Sequence, residues 1–215
     1  MAMSPTVLCP LTLAGLLRLL LAPRAGTAAT ATTLTLIVCA SRDAFLQQLA
    51  QSLQHEQHAT DTDTHAEDVA RPSLHNLLRC RHVQLAFCAS VQALLAHLTV
   101  YGHGQASAST LVLVNPLALH ASTPSFSAQG LSRSFAAATE TARRTGAALH
   151  VVECPGPAAM TEDPWEQQLS ILNGSARRFG AGSGGERAWA GRTVTAKTIA
   201  ARWFRFQEAN QAPSP

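Results

Sequence analysis

Residues 111–119 read LVLVNPLAL, and the fold turns on how they are understood. Four aliphatic residues follow one another without alternation after the Ser/Gly-rich run Gly102 to Ser109, and the polar pair Asn115 and Pro116 stops them. A strand with one wet face alternates apolar and polar residues, whereas an unbroken apolar run marks a strand covered on both faces, as in the middle of a parallel sheet. Open α/β sheets place their ligands beyond the carboxyl ends of such strands. Position 115 is therefore where chemistry is first sought.

Outward from that stretch the chain repeats a strand-then-helix pattern. Leu34 to Cys39 (LTLIVC) reads as the first strand, and Ser41 is a candidate helix cap, with Asp43 in the first turn where the helix dipole favours an acid. Phe45, Leu46, Leu49 and Leu53 then recur at helical spacing. Leu74 to Cys80 reads as a short helix, Val83 to Cys88 (VQLAFC) as the second strand, and Ser90 as the cap of a helix with the stripe Val91, Leu94, Leu95 and Leu98. After the 111–119 stretch and a loop at Ser122 to Ser127, Leu131, Phe135, Ala138 and Ala142 form another helical stripe ending at Gly146. Leu149 to Cys154 (LHVVEC) is the fourth strand. Successive strand–helix units imply a parallel sheet with helices on both faces, a three-layer αβα architecture.

The last third differs. A strand around Leu169 to Leu172, continuing through Ser175 to Phe179, would reach the glycine-rich turn Gly180 to Gly185 and return antiparallel from Gly191 to Ala196. Ile199, Trp203 and Phe206, at helical spacing, would pack back on the sheet. Between Arg177 and Arg205 this region carries six arginines and Lys197 against Glu186 alone.

At 215 residues one domain is expected, large enough to bury about 70% of its unfolded surface. With 47% hydrophobic and 13% charged residues the chain is not disordered, and its net charge of +3 is far from that of a dedicated nucleic-acid-binding tail. The five cysteines have no CxxC spacing, which speaks against a disulfide framework or zinc site; Cys39, Cys88 and Cys154 close apolar runs and read as buried thiols of an intracellular protein. Leu11 to Ala22, interrupted by Arg18, is too short to span a bilayer. Its lack of acids resembles a mitochondrial presequence, but Leu13, Leu16, Leu17, Leu20 and Leu21 favour a helix covering the sheet. The expected organisation is a leucine-rich helix and connector at 1–33, an α/β domain at 34–206 and a tail at 207–215, with no membrane association.

Motifs that carry chemistry are scarce. A phosphate-cradling loop needs backbone N–H groups from a glycine-rich turn, a lysine, and a Ser or Thr on magnesium. Lys197 is the single lysine, no GK[ST] occurs, and the glycines at 180–185 run into Glu186-Arg187, as in a hairpin tip. Asn115 keeps the shape of an aspartate without the charge that magnesium prefers, so it either caps the strand end or contacts a ligand. His55, His58, His65, Asp61 and Asp63 share the polar stretch 54–73, which reads as a solvated loop and not a metal site for want of an apolar framework. Cys154, Glu153 and His120 can be drawn as nucleophile and base, and Cys39, Asn115, Glu153 and Cys154 as strand-end residues of an enzyme, but burial or chance placement is the simpler reading.

The order of these pieces resembles the RecA-like recombinase core, a P-loop NTPase type of fold, over about Leu34 to Phe206. LIVCASRDAFLQQLAQSL at Leu36 to Leu53 is similar to the family's strand and following acid-x-F-x-x-x-x-L segment, HVQLAFCASVQALLAHL at His82 to Leu98 to its next unit, and LVLVNPLALH to the strand that ends in a magnesium-linked acid. Gln129 to Thr145 followed by LHVVEC is similar to the helix and strand that lead to the family's polar sensor position, here Glu153-Cys154. No Walker A loop is present, and Asn115 stands at the degenerate Walker B position. Such losses are similar to the non-hydrolysing recombinase paralogues of the fungal Shu complex and, alternatively, to RecA-fold subunits of the Elongator accessory ring. The resemblance implies a non-catalytic subunit without cofactor or metal, working in recombinational repair beside a RecA-like paralogue, in the nucleus or alternatively the cytoplasm or mitochondrion. DNA is a possible partner, with Arg177, Arg178, Arg187, Arg192 and Lys197 as its contacts. The alternative is a scaffold subunit without ATPase activity.

Overall fold

The computed structural model describes residues 4–9, 11–22, 33–59, 74–102, 109–156, 163–172 and 193–207. Its strands are β1 (Thr6–Leu8), β2 (Thr33–Val38), β3 (Val83–Phe87), β4 (Ser109–Val114), β5 (Ala148–Val152), β6 (Gln168–Ser170), β7 (Thr193–Thr195) and β8 (Arg205–Gln207). Its helices are α1 (Leu13–Leu21), α2 (Arg42–Ala59), α3 (Leu74–Cys80), α4 (Val91–Val100), α5 (Pro116–Ala121), α6 (Ala128–Thr145) and α7 (Ala196–Ala200). Six strands form one sheet in the order β3-β2-β4-β5-β1-β8, every neighbouring pair parallel, and β6 and β7 form a separate antiparallel pair.

β4 lies inside this sheet and is buried at every position. Leu111 and Leu113 enter one apolar cluster together with α4, α6 and α7, while Val112 and Val114 enter a second with Leu13 and Leu16 of α1 and Phe45 of α2. Period-two alternation sends successive side chains to opposite faces, so a run that is apolar throughout demands helices on both. The result is the three-layer αβα arrangement expected from the sequence.

The local signals operate as their chemistry requires. Ser41 and Ser90 accept from the N–H groups of Ala44 and Ala93, and Gly146 ends α6 in the left-handed region at φ 66°, where glycine carries no Cβ penalty. α1 is a core helix: Leu13, Ala14 and Leu16 are buried, and the Ala14 N–H donates to the buried Ser52 hydroxyl of α2 at 3.1 Å.

Four details differ from the sequence reading. The strand taken as the first is β2; β1 precedes it and sits between β5 and β8, with Val7 fully buried. Three residues are too few to show a period. The 111–119 stretch is a strand followed by a helix, because Pro116 occupies a first helical position, where its missing N–H costs nothing. α2 extends through the polar residues to Ala59, while residues 60–73 lie outside the described ones. Finally, α7 stops at Ala200 and Phe206 belongs to β8, where its ring meets Trp165 edge-on at 5.5 Å. The antiparallel return is present as β6 and β7, and the glycine-rich turn between them lies outside the described residues.

If α1 is integral to the core, Leu16→Ala should lower unfolding free energy by about 2–5 kcal/mol in urea titrations, the usual range for a buried leucine. Leu19→Ala, at a site 41% exposed, should cost far less.

Candidate functional site

Cys39, Asn115 and Glu153 each follow directly on the last residue of β2, β4 and β5. The ladder carries on past the strands: the Cys39 N–H donates to the Val114 carbonyl and the Asn115 N–H to the Val152 carbonyl, both at 2.9 Å. These residues therefore stand in a row at the carboxyl edge. Over that row opens a cavity of about 420 Å3, walled by Cys39, Gln48, Asn115, Leu117, Glu153 and Cys154 together with small apolar residues of α5 and the segments near 155 and 164. This is where an open parallel sheet places a ligand.

Asn115 has φ 60°, the left-handed region that asparagine tolerates better than most residues. Its Oδ1 accepts from the Cys154 N–H at 2.6 Å, and its Nδ2 donates to Gln48 Oε1 at 3.3 Å. Gln48 in turn donates from Nε2 to the Cys154 carbonyl. The amide thereby ties β4 to the end of β5 and to α2. Its role in the fold is to satisfy backbone at the strand end.

Glu153 is buried, and its Oε1 accepts from the Leu117 N–H at 2.6 Å, with the Ala118 N–H as a second donor. Both belong to the first turn of α5, whose amides have no partner within the helix. Burial pushes the Glu153 carboxyl up to about 8, and the two amides only partly offset it. Near neutral pH the group is largely protonated. Burial likewise raises the thiols of Cys39, with Glu153 and Cys88 adding to the effect, and of Cys154, with Glu153 adding. Cys88 is raised by burial as well. Reactive thiolates need the opposite environment, so these cysteines are the buried thiols their positions suggested.

The drawn nucleophile–base set does not assemble. Glu153 and Cys154 face the cavity, but His120 is turned into the α5–α6 contact, with Nε2 2.9 Å from Ser134 Oγ and Nδ1 3.2 Å from the Ser125 carbonyl. Burial, partly opposed by the Ser125 carbonyl, lowers its pKa and keeps the ring neutral. Among the described residues no group of three His, Cys, Asp or Glu side chains is placed to hold a metal ion. Of the metal candidates, His65, Asp61 and Asp63 lie outside the described residues.

Of the nucleic-acid candidates, Arg177, Arg178, Arg187 and Arg192 lie outside the described residues. Lys197 is described, on α7, half exposed and paired with Glu166 Oε1 at 2.8 Å. No helix among the described residues is long and apolar enough to cross a membrane. Gln48 and the amides of α5 escaped the sequence reading. Gln48 lies on the polar side of a helical stripe, and only Pro116, as a helix-start signal, pointed to the amides.

Comparison with protein-family models, with curated proteins and with solved structures finds no match to this chain.

Two measurements bear on these assignments. Asn115→Asp replaces the donor to Gln48 by a second acceptor and should cost about 1–3 kcal/mol in urea titrations, with magnesium giving no recovery. Between pH about 4.5, the ordinary carboxyl value, and about 8, the native chain retains a Glu153 proton that the unfolded chain has lost. Glu153 therefore makes stability fall as pH rises through that window. The fall should be shallower in Glu153→Gln when both proteins are unfolded across the same pH series.

Proposed function

We propose that the chain is a non-catalytic RecA-like subunit that assists recombinational DNA repair by pairing with a RecA-like paralogue and contacting DNA. One observation supports the non-catalytic part: the polar groups at the carboxyl end of the sheet are engaged with one another, and among the described residues none is placed to hold a phosphate. Asn115, Gln48 and Cys154 satisfy one another there, Glu153 occupies the amides of α5, and among the described residues no Lys, Arg or His lines the cavity.

The unit β1–α1 supports the same reading. A phosphate loop joins a strand to a helix through GxxxxGK[ST]. Here β1 and α1 stand in that relation, but the link 9–12 is Cys-Pro-Leu-Thr, without glycine or lysine. It has neither the length nor the residues to wrap a phosphate.

The pairing part rests on exposed apolar surface. Leu74, Leu77 and Leu78 of α3 are 81%, 62% and 60% exposed, and α3 leads directly into the edge strand β3, on which Leu85 is 50% exposed. Apolar side chains gathered in this way suit a partner-covered surface. The DNA part rests on the basic residues Arg177, Arg178, Arg187 and Arg192; Lys197 contributes less, since Glu166 already neutralises it.

Native co-purification with mass spectrometry should recover a recombinase or its paralogue. Recovery of a different complex, such as an Elongator-like ring, would replace this reading by the scaffold one. Calorimetry with ATP should show no appreciable binding, and tight binding or hydrolysis would overturn the non-catalytic assignment. Gel shifts with single- and double-stranded DNA should weaken steeply with salt, and Arg177→Ala with Arg178→Ala should lower the salt slope by about two. Absence of a shift at low salt, alone and with the partner, would remove DNA from the proposal.

A further inference from the structure

We propose that the carboxyl-end cavity is a binding site for a small organic cation, an ammonium or guanidinium group on a short aliphatic stem, received by the Glu153 carboxylate. The site uses the cavity's geometry and shares with the proposed function only the premise that no nucleotide occupies it. The DNA and partner experiments can therefore fail while this assignment stands, and the reverse also holds.

Three features of the lining select the ligand. First, among the described residues Glu153 is the only acid in the wall, and no Lys, Arg or His stands there to balance it. A buried carboxylate without a counter-charge is costly, and an entering cation supplies what the protein does not. Phosphates and carboxylates meet the opposite situation and are disfavoured. Second, no set of three metal-ligating side chains exists among the described residues, which points to an organic cation held by one charged contact and not to a metal ion. Third, Ala40, Leu117, Ala118, Ala121, Pro155 and Pro164 provide apolar wall for an aliphatic stem. The volume of about 420 Å3 lies within the range of roughly 300–1,000 Å3 found for small-molecule sites.

The groups around Glu153 do not compensate its charge. Cys39 and Cys154 are protonated thiols, Gln48 and Asn115 are neutral, and the neutral His120 ring is turned away into the α5–α6 contact. In the first turn of α2, Arg42 and Asp43 are exposed and lie outside the wall. Beside the mouth, next to the wall residues Pro164 and Gln167, Asp163 and Glu166 are exposed acids, of which Glu166 is paired with Lys197. Among the described residues positive charge is thus paired at the rim and absent within. When the cation enters, the protonated Glu153 carboxyl releases its proton to solvent and the resulting carboxylate pairs with the ligand.

The test is isothermal calorimetry on the full chain with n-butylguanidinium, which stays charged throughout the titration range. Butan-1-ol and butyrate serve as the neutral and anionic counterparts. The cation should bind, with affinity rising about tenfold from pH 7 to pH 9 as Glu153 ionises, and with about one proton released at pH 7, read from buffers of different ionisation enthalpy. Glu153→Gln should weaken binding about tenfold or more and abolish the pH dependence. Ala121→Phe, at an exposed wall position, should block the mouth and weaken binding while leaving thermal unfolding unchanged, which keeps the test decisive if the Glu153 variant does not fold. Equal binding of butan-1-ol or butyrate, unaltered binding by Ala121→Phe, or no binding of the cation at millimolar concentration would overturn the proposal.

Discussion

The structure depends on burying residues 111–114 on both faces at once. Leu111 and Leu113 cannot leave water unless α4 and α6 cover one side, and Val112 and Val114 cannot unless α1 and α2 cover the other. Hydrophobic burial at about 1.5–3 kcal/mol per large side chain makes either exposed alternative expensive against a total stability of only about 5–15 kcal/mol. The same requirement explains why the short segment β1 and its helix belong with the sheet. α1 supplies Leu13 and Leu16 to the cluster that holds Val112 and Val114, and β1 lies on the far side of β5 from β4.

A strand covered on both faces ends in low-dielectric surroundings, and every polar group there needs a partner. The chain meets this need from within. The left-handed turn at Asn115 directs its amide at the Cys154 backbone and at Gln48, and Glu153 takes the amides that α5 leaves open at its first turn. Each partner comes from a different element, so the network also fixes how α2, α5 and β5 meet. Donors committed in this way are unavailable to a phosphate. The carboxyl edge of the sheet is concave, and none of the described side chains that line it carries a positive charge.

Charge is distributed to the same effect. Among the described residues the cavity wall contains one acid and no base, whereas in the sequence basic residues gather after position 176, in the segment whose described part packs through α7 against α6.

Sequence by itself determined the fold class and most elements, because periodicity and capping are local. The aliphatic run at 111–114, the stripes of α4 and α6, the Ser41 and Ser90 caps and the Gly146 stop all act within one or two turns of their own position. It also determined the absence of a GK[ST] loop and the amide at position 115. Tertiary structure alone decided the place of β1 in the sheet, since Thr6–Leu8 is too short to carry a period and is a strand only because β5 and β8 flank it. It alone turned His120 away from Cys154 and brought Gln48 to Asn115 across 67 positions of sequence. The charge state of Glu153 belongs to the same class, because desolvation sets it and the packing of distant segments sets desolvation.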